Sequence, residues 1–271
     1  MSDCTHDCST CGKSDCGSRI EKEKANEHSH IKKIYAVVSG KGGVGKSMVT
    51  SMLSATTAKK GYKVGVLDAD ITGPSMAKEF GLTGLTQGCE YGILPMELVT
   101  GIKVISINML LENPSDPVVW RGPVIAGAVK QFYTDVYWGD IDYMYIDMPP
   151  GTGDVPLTVF QSLPVDGIIV VTSPQDLVSM IVEKAVKMAK MMNIPIVGIV
   201  QNMSYFECPK CHEKHYIFGE GKVEKVAKEY DIKNIASLPI SQELAMLSDT
   251  GNMEWYDKDY LDNLVDEITK Q

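Results

Sequence analysis

Two groups of residues in this chain have the types and spacing to do chemistry. The first is Gly40-Lys41-Gly42-Gly43-Val44-Gly45-Lys46-Ser47, which fits the phosphate-binding pattern G-x4-G-K-[ST]. Glycines let backbone N–H groups curl around phosphate oxygens, and a helix starting there presents its positive end. Lys46 is placed to reach the β- and γ-phosphates of a nucleotide, and the Ser47 hydroxyl to ligate Mg²⁺. The second group is cysteine. Cys208-Pro209-Lys210-Cys211 is a C-x2-C pair whose thiolates point the same way, as in a metal knuckle. Two thiolates do not close a four-ligand site. His212 or His215 could add nitrogen ligands and make a zinc site. The N-terminal cysteines could fold over. A two-fold dimer could also bring two pairs together around an iron–sulfur cluster. Cys4, Cys8, Cys11 and Cys16 form a second group, C-x3-C-x2-C-x4-C, able to wrap a [4Fe–4S] cluster or a zinc ion. Cys89 stands alone and reads as a packed thiol or an idle loop residue.

A phosphate loop needs a strand before it and a helix after it. Residues 34–39 form an apolar, β-branched run that reads as a buried strand, and 46–60 reads as a helix ended by Gly61. The next strand, 63–68, sets Asp68 and Asp70 at its C-terminal end. A further strand, 143–147, ends on Asp147, where a magnesium-side acid is needed. Asp68 or Asp70 could orient the attacking water, and Asp70 could instead cap its loop. More strands are expected at 103–107, 167–172, 195–200 and 234–238. Helices are expected at 122–136, 155–161, 176–192, 221–230, 241–249 and 257–269. Apolar strands alternating with helices predict an α/β P-loop NTPase, its mostly parallel sheet covered on both faces. Residues 81–101 read as a loop or small hairpin. Residues 1–33 hold six basic and six acidic residues and almost no large apolar side chains. They are expected to be a flexible cysteine-rich tail, because they bury too little to offset their ordering entropy. Residues 34–271 are expected to form a single domain.

Composition narrows the function classes. The 271 residues carry 26 basic and 35 acidic side chains, a net charge of −9, which argues against a general nucleic-acid binder. No apolar run approaches the roughly 18–20 residues of a membrane span. Met1-Ser2-Asp3-Cys4 lacks an apolar signal core, and Ser2 stands where myristoylation needs glycine. A cytoplasmic location is expected. Thiols there are kept reduced, so the seven cysteines point to metal binding or catalysis rather than disulfides.

Lys41 is not required by the general phosphate-loop pattern. It resembles the deviant loop G-K-G-G-x-G-K-[ST] of the class holding MinD, ParA and the nitrogenase iron protein. Six further motifs extend the likeness: Asp68-Ala69-Asp70-Ile71-Thr72-Gly73-Pro74-Ser75, Trp120-Arg121-Gly122-Pro123, Trp138-Gly139-Asp140-Ile141-Asp142, Asp147-Met148-Pro149-Pro150-Gly151-Thr152-Gly153-Asp154, Gln201-Asn202-Met203-Ser204 and the C-x2-C pair. Over about residues 34–247 the chain resembles iron–sulfur cluster carriers of the Mrp/ApbC type. The cysteine-bearing tail resembles that of their eukaryotic cytosolic scaffold relatives, whose first two cysteines are more widely spaced.

The resemblance implies an ATP-sandwich homodimer in which Lys41 reaches the partner's nucleotide. It implies a [4Fe–4S] cluster held by Cys208 and Cys211 of each chain, slow ATP hydrolysis, and delivery to apoproteins after loading by upstream assembly factors. It further implies that Asp70 positions water, Asp147 is the Walker-B-like acid and Asn202 contacts adenine. The rival reading is a zinc-stabilised regulatory or positioning ATPase like MinD or ParA. A membrane-binding MinD needs a basic amphipathic C-terminal helix, but residues 257–271 hold five acids and two lysines. The acidic balance likewise disfavours ParA-type DNA binding.

Overall fold

The computed structural model describes residues 22–111, 120, 122–151, 153–174 and 178–270. Strands β1 (His30–Ser39), β2 (Val64–Asp68), β6 (Lys103–Ile105), β7 (Asp140–Asp147), β8 (Gly167–Thr172), β9 (Ile196–Glu207) and β11 (Ile235–Pro239) run parallel in one sheet. The short β5 (Met96–Glu97) and β10 (Lys214–His215) add antiparallel pairings to β6 and β9. The order is β11-β9-β8-β1-β7-β2-β6-β5, with β10 on the far end of β9. Strands β3 (Gly88–Cys89) and β4 (Gly92–Ile93) make the small hairpin expected within 81–101.

Side-chain alternation explains the two covered faces. Along β1, Ile34, Ala36 and Val38 enter one core, with Phe132 of α3 (Gly122–Thr134), Phe160 of α4 (Asp154–Ser162), Val182 of α5 (Val178–Met192) and Val226 of α6 (Val223–Glu229). Tyr35 and Val37 enter the other. There they meet Met52 and Leu53 of α1 (Lys46–Lys59), Met76 of α2 (Met76–Glu79), Leu244 of α7 (Gln242–Asp249) and Leu264 of α8 (Asp262–Thr269). Burial on both sides is why β1 reads as a continuous apolar run rather than an alternating one.

The boundary expected at Ile34 moves upstream. β1 opens at His30, and His30 and Ile31 pair with Asp140 and Ile141 of β7. Before it, Glu23 N–H donates to the Ser162 carbonyl at 2.7 Å, and Ala25 packs on the core. Backbone pairing holds residues 22–33 to the body, where low apolar content alone predicted a free tail. The expected strand 103–107 stops at Ile105 and gives way to a 3-10 turn, Ile107–Met109. β9 overshoots its expected end by seven residues to reach Glu207. The last helix starts at Asp262 rather than 257, because the chain before it is held to α1, with Lys59 Nζ 3.2 Å from the Asp257 carbonyl.

Candidate functional site

The 40–47 loop joins the C-terminal end of β1 to α1. Ser39 Oγ donates to the Lys41 carbonyl at 3.0 Å and steadies the loop's first turn. Gly43 and Gly45 both sit at φ +78°, in the left-handed region that glycine enters freely. At Gly45 a Cβ would collide with Asn202 Nδ2, so the Asn202 side chain could not stay where it is with a side chain at 45. Asn202, reaching in from β9, donates to the Val44 carbonyl at 3.0 Å.

Asp147 is the hub beneath the loop. It is fully buried at the end of β7. Lys46 Nζ and Ser47 Oγ each lie 2.7 Å from its Oδ2, and Thr50 Oγ1 donates to its Oδ1 at 2.7 Å. The structure thus brings together the lysine, the hydroxyl and the strand-end acid that the sequence singled out. Thr50 was missed. Its signal was its place one helical turn beyond Lys46, on the same face of α1. Above lies a cavity of about 410 Å³ lined by loop glycines, Lys46, Ser47, Asp70 and Asn202. Backbone N–H groups and one ammonium suit phosphate oxygens, and the Ser47 and Asp147 oxygens are hard donors of the kind Mg²⁺ takes.

The two aspartates that the sequence left open part ways. Asp68 is fully buried and is taken up by Ser106 Oγ at 2.9 Å and by the backbone N–H groups of Asp70, Ser75 and Met76, each at 3.1 Å. It anchors the 70–76 segment from behind and does not line the cavity. Asp70 lines the cavity and also caps its own loop, accepting from Thr72 Oγ1 and Gly73 N–H at 3.2 Å each. Glu79 and Ser248 also line the cavity, with Ser248 Oγ donating to Glu79 at 2.9 Å; neither belongs to a motif that would have marked it.

Burial, and next the nearby Asp147 charge, push the Asp68 carboxyl up to about 7, while Met76 N–H and the Ser106 hydroxyl pull it partly back. An acid whose folded pKa is raised binds more protons folded than unfolded, so stability falls as pH rises through that window. Asp68 therefore makes folding less favourable as pH climbs from its ordinary 3.8 to about 7, with no further loss from it above that. In Asp68→Asn this contribution disappears. Denaturant unfolding at stepped pH is expected to show a shallower fall in stability for the variant than for the wild type. Equal slopes would remove Asp68 as the cause.

The second group of candidates sits on a protruding hairpin. β9 continues past Asn202 to Glu207, and β10 returns beside it, pairing Lys214 with Glu207 and His215 with Phe206. Cys208 N–H donates to the Glu213 carbonyl at 3.0 Å and His212 N–H to the Cys208 carbonyl at 2.9 Å, closing the turn. The backbone N–H of Cys211, then that of Lys210, holds the Cys208 thiol below its usual range. That favours a metal-ready thiolate. Cys211 is exposed. His212, a candidate zinc ligand, lies instead 2.9 Å from Glu207 Oε1. Among the described residues no group of three or more His, Cys, Asp or Glu side chains converges to hold a metal. Phe206 on β9 and Tyr216, Ile217 and Phe218, which follow β10, are exposed apolar side chains. Cys4, Cys8, Cys11 and Cys16 lie outside the described residues, and Cys89 is exposed on the small hairpin.

A mostly parallel sheet with a lysine-bearing phosphate loop after its central strand defines a P-loop NTPase. The MinD protein of Pyrococcus horikoshii, solved with Mg-ADP, shares this fold at TM-score 0.57 and 18% identity, over 88% of this chain and 95% of its own. Within that class, the chain belongs to the family described as ParA: NUBPL iron-transfer P-loop NTPase, whose model matches residues 30–271. The iron-sulfur cluster carrier protein of Clostridium perfringens is 44% identical over 249 residues, 89% of this chain and 87% of the relative. The solved nucleotide-binding protein of Archaeoglobus fulgidus, in complex with ADP and with Co found by PIXE, is 46% identical at TM-score 0.78. It covers 85% of this chain and 91% of its own. The family agrees with the resemblance read from the motifs. Among the described residues no helix is long and apolar enough to cross a membrane.

Proposed function

We propose that this protein is an ATP-dependent carrier of a [4Fe–4S] cluster. Two copies hold the cluster between them through Cys208 and Cys211 of each chain, and they pass it to apoproteins. One observation carries the reading: a two-thiol hairpin stands at the surface on the same strand that reaches into the phosphate loop. A cubane takes four thiolates, and a two-fold axis turns one pair into four. Phe206, Tyr216, Ile217 and Phe218, exposed next to the hairpin in sequence, are apolar surface that a second copy would cover. The similarity to a protein named as a cluster carrier supports the same function here.

At the nucleotide site, Lys46 neutralises the β- and γ-phosphates, and Ser47 with Asp147 holds Mg²⁺. Asp70 orients water, and Lys41 reaches the partner's nucleotide. Asn202 contacts adenine while holding Val44. Hydrolysis is slow and serves loading or release of the cargo. The cluster rides on thiolates at the surface, Cys211 exposed and Cys208 half-buried, where an acceptor's cysteines can replace them. The upstream partner is a cluster-assembly factor, the downstream partners are apo iron–sulfur proteins, and the setting is the cytoplasm, with neither nucleic acid nor membrane as partner. The four tail cysteines form a second iron–sulfur or zinc site.

Transfer can be read directly. Protein loaded anaerobically is mixed with an apo-enzyme that needs a [4Fe–4S] cluster, in the presence of an iron chelator. Recovery of the acceptor's activity despite the chelator, and faster than with equal free iron and sulfide, is expected. Recovery that the chelator abolishes would mean free-ion release and would overturn the carrier reading.

A further inference from the structure

Between the phosphate loop and the cysteine hairpin, the pairing of β9 with β11 is interrupted. Ser237 of β11 pairs with Gln201 and Pro239 pairs with Tyr205, so Asn202, Met203 and Ser204 stand against the single residue Leu238. Pairing resumes where Ile240 N–H donates to the Tyr205 carbonyl at 2.7 Å. This is a two-residue bulge, a feature that re-aims the strand beyond it. Inside it Met203 sits at φ +57°, uncommon for a residue with a Cβ, and such strain gathers at switch regions.

The bulge is tied at one end. The Asn202 amide bonds in two directions: Nδ2 donates to the Val44 carbonyl at 3.0 Å, and Oδ1 accepts from Met203 N–H at 2.9 Å. Asn202 is buried, and its Nδ2 fills the space that the missing Cβ of Gly45 leaves. One side chain therefore links the phosphate loop to the strained residue. Four residues beyond Met203 the strand ends at Glu207, and Cys208 begins the turn. A paired strand transmits displacement without stretching, so a shift at the bulge re-aims the hairpin. The 70–76 segment has no such covalent continuity with the cysteines.

We infer that Asn202 and Met203 are positioning residues for the cysteine pair, and that nucleotide in the phosphate loop resets the 202–204 bulge and so the presentation of Cys208 and Cys211. Nucleotide at the loop changes what the Val44 carbonyl and the Asn202 amide face, and the left-handed Met203 gives the backbone a second, less strained arrangement to move to. The inference deepens the carrier proposal and rests on it.

The test uses the full chain carrying Cys4→Ser, Cys8→Ser, Cys11→Ser, Cys16→Ser and Cys89→Ser, kept anaerobic. Iodoacetamide alkylation then reports only Cys208 and Cys211. Rates are compared without nucleotide and with saturating ADP, occupancy being confirmed with a fluorescent ADP. Nucleotide is expected to change the alkylation rate by about fivefold or more. Met203→Gly, which frees the bulge, is expected to bring the two rates within about twofold of each other. Met203→Asn, which tolerates the left-handed region, is expected to keep the response. Asn202→Ala cuts the tie to Val44 and should also lose it, which leaves a second readout if Met203→Gly fails to fold. Equal rates with and without ADP in the parent chain, or a full response in both Met203→Gly and Asn202→Ala, would overturn the inference. Cluster loading of the same parent chain tests the carrier proposal separately: a nucleotide response without loading would keep the coupling and sink the carrier.

Discussion

Replacing Cys208 and Cys211 by serine is expected to strip the bridging cluster and, with it, any dimer that the cluster holds together. The sulfurs are soft donors suited to iron–sulfur chemistry, and serine oxygen is neither soft nor ionised near neutrality. The turn prepares the site. The N–H groups of Cys211 and Lys210 favour the Cys208 thiolate, and a serine hydroxyl cannot use that preparation. Losing an outer-shell partner alone typically costs about 10–100-fold in metal affinity, so losing all four direct ligands of the dimer must cost more. The measurement is iron and sulfide content after anaerobic reconstitution, with the tail cysteines changed to serine in both arms so that they cannot mask the loss. The hairpin lies at the surface, so unfolding free energy should stay within about 0.5 kcal/mol of the parent. Undiminished iron in the double variant would remove the cluster from this hairpin.

Lys46→Ala should lower ATP hydrolysis by at least about a hundredfold, the scale of losing one donor aimed at developing charge. It should also destabilise the fold, because Asp147 is buried and would lose its countercharge. Breaking a buried pair costs about 3–5 kcal/mol, and Ser47 and Thr50, which still donate to Asp147, place this case toward the lower end. Activity is therefore compared at a temperature where the variant is folded. Lys41→Ala should lose hydrolysis without that stability cost. If Lys41 serves the partner's nucleotide, each variant fails alone for a different reason. Mixing Lys41→Ala chains with Lys46→Ala chains then builds dimers in which one of the two sites is intact, and hydrolysis returns in part. No recovery on mixing would place Lys41 in its own chain's site.

Much of the nucleotide site was legible because its parts are contiguous. Residues 40–47 form one string, and Asp147 is expected from the rule that ligands gather at the C-terminal ends of parallel strands. What separated Asp68 from Asp70 was not legible. The donor that helps occupy Asp68, Ser106, is 38 residues away, and only the fold brings it there. Glu79 and Ser248 meet across 169 residues and carry no motif. Asn202 was marked by resemblance alone, since its partner is a backbone carbonyl that no side-chain pattern reveals. The cysteine pair was plain, but its spacing names only two ligands, and the two further donors of a four-ligand site are not written beside it. The upstream end of β1 was misplaced for a related reason: backbone bonds to β7 hold residues whose side chains give no apolar signal.

Anaerobic purification followed by iron, sulfide and zinc analysis, with the mass of the complex in solution, tests the shared cluster most directly. It should be made on a chain whose tail cysteines are serine. A carrier with a shared cluster should give about four iron and four sulfide per two chains, a dimeric mass that falls to that of a monomer when the cluster is removed without nucleotide, and no stoichiometric zinc. Zinc bound to single chains, with no iron retained after reconstitution, would contradict it.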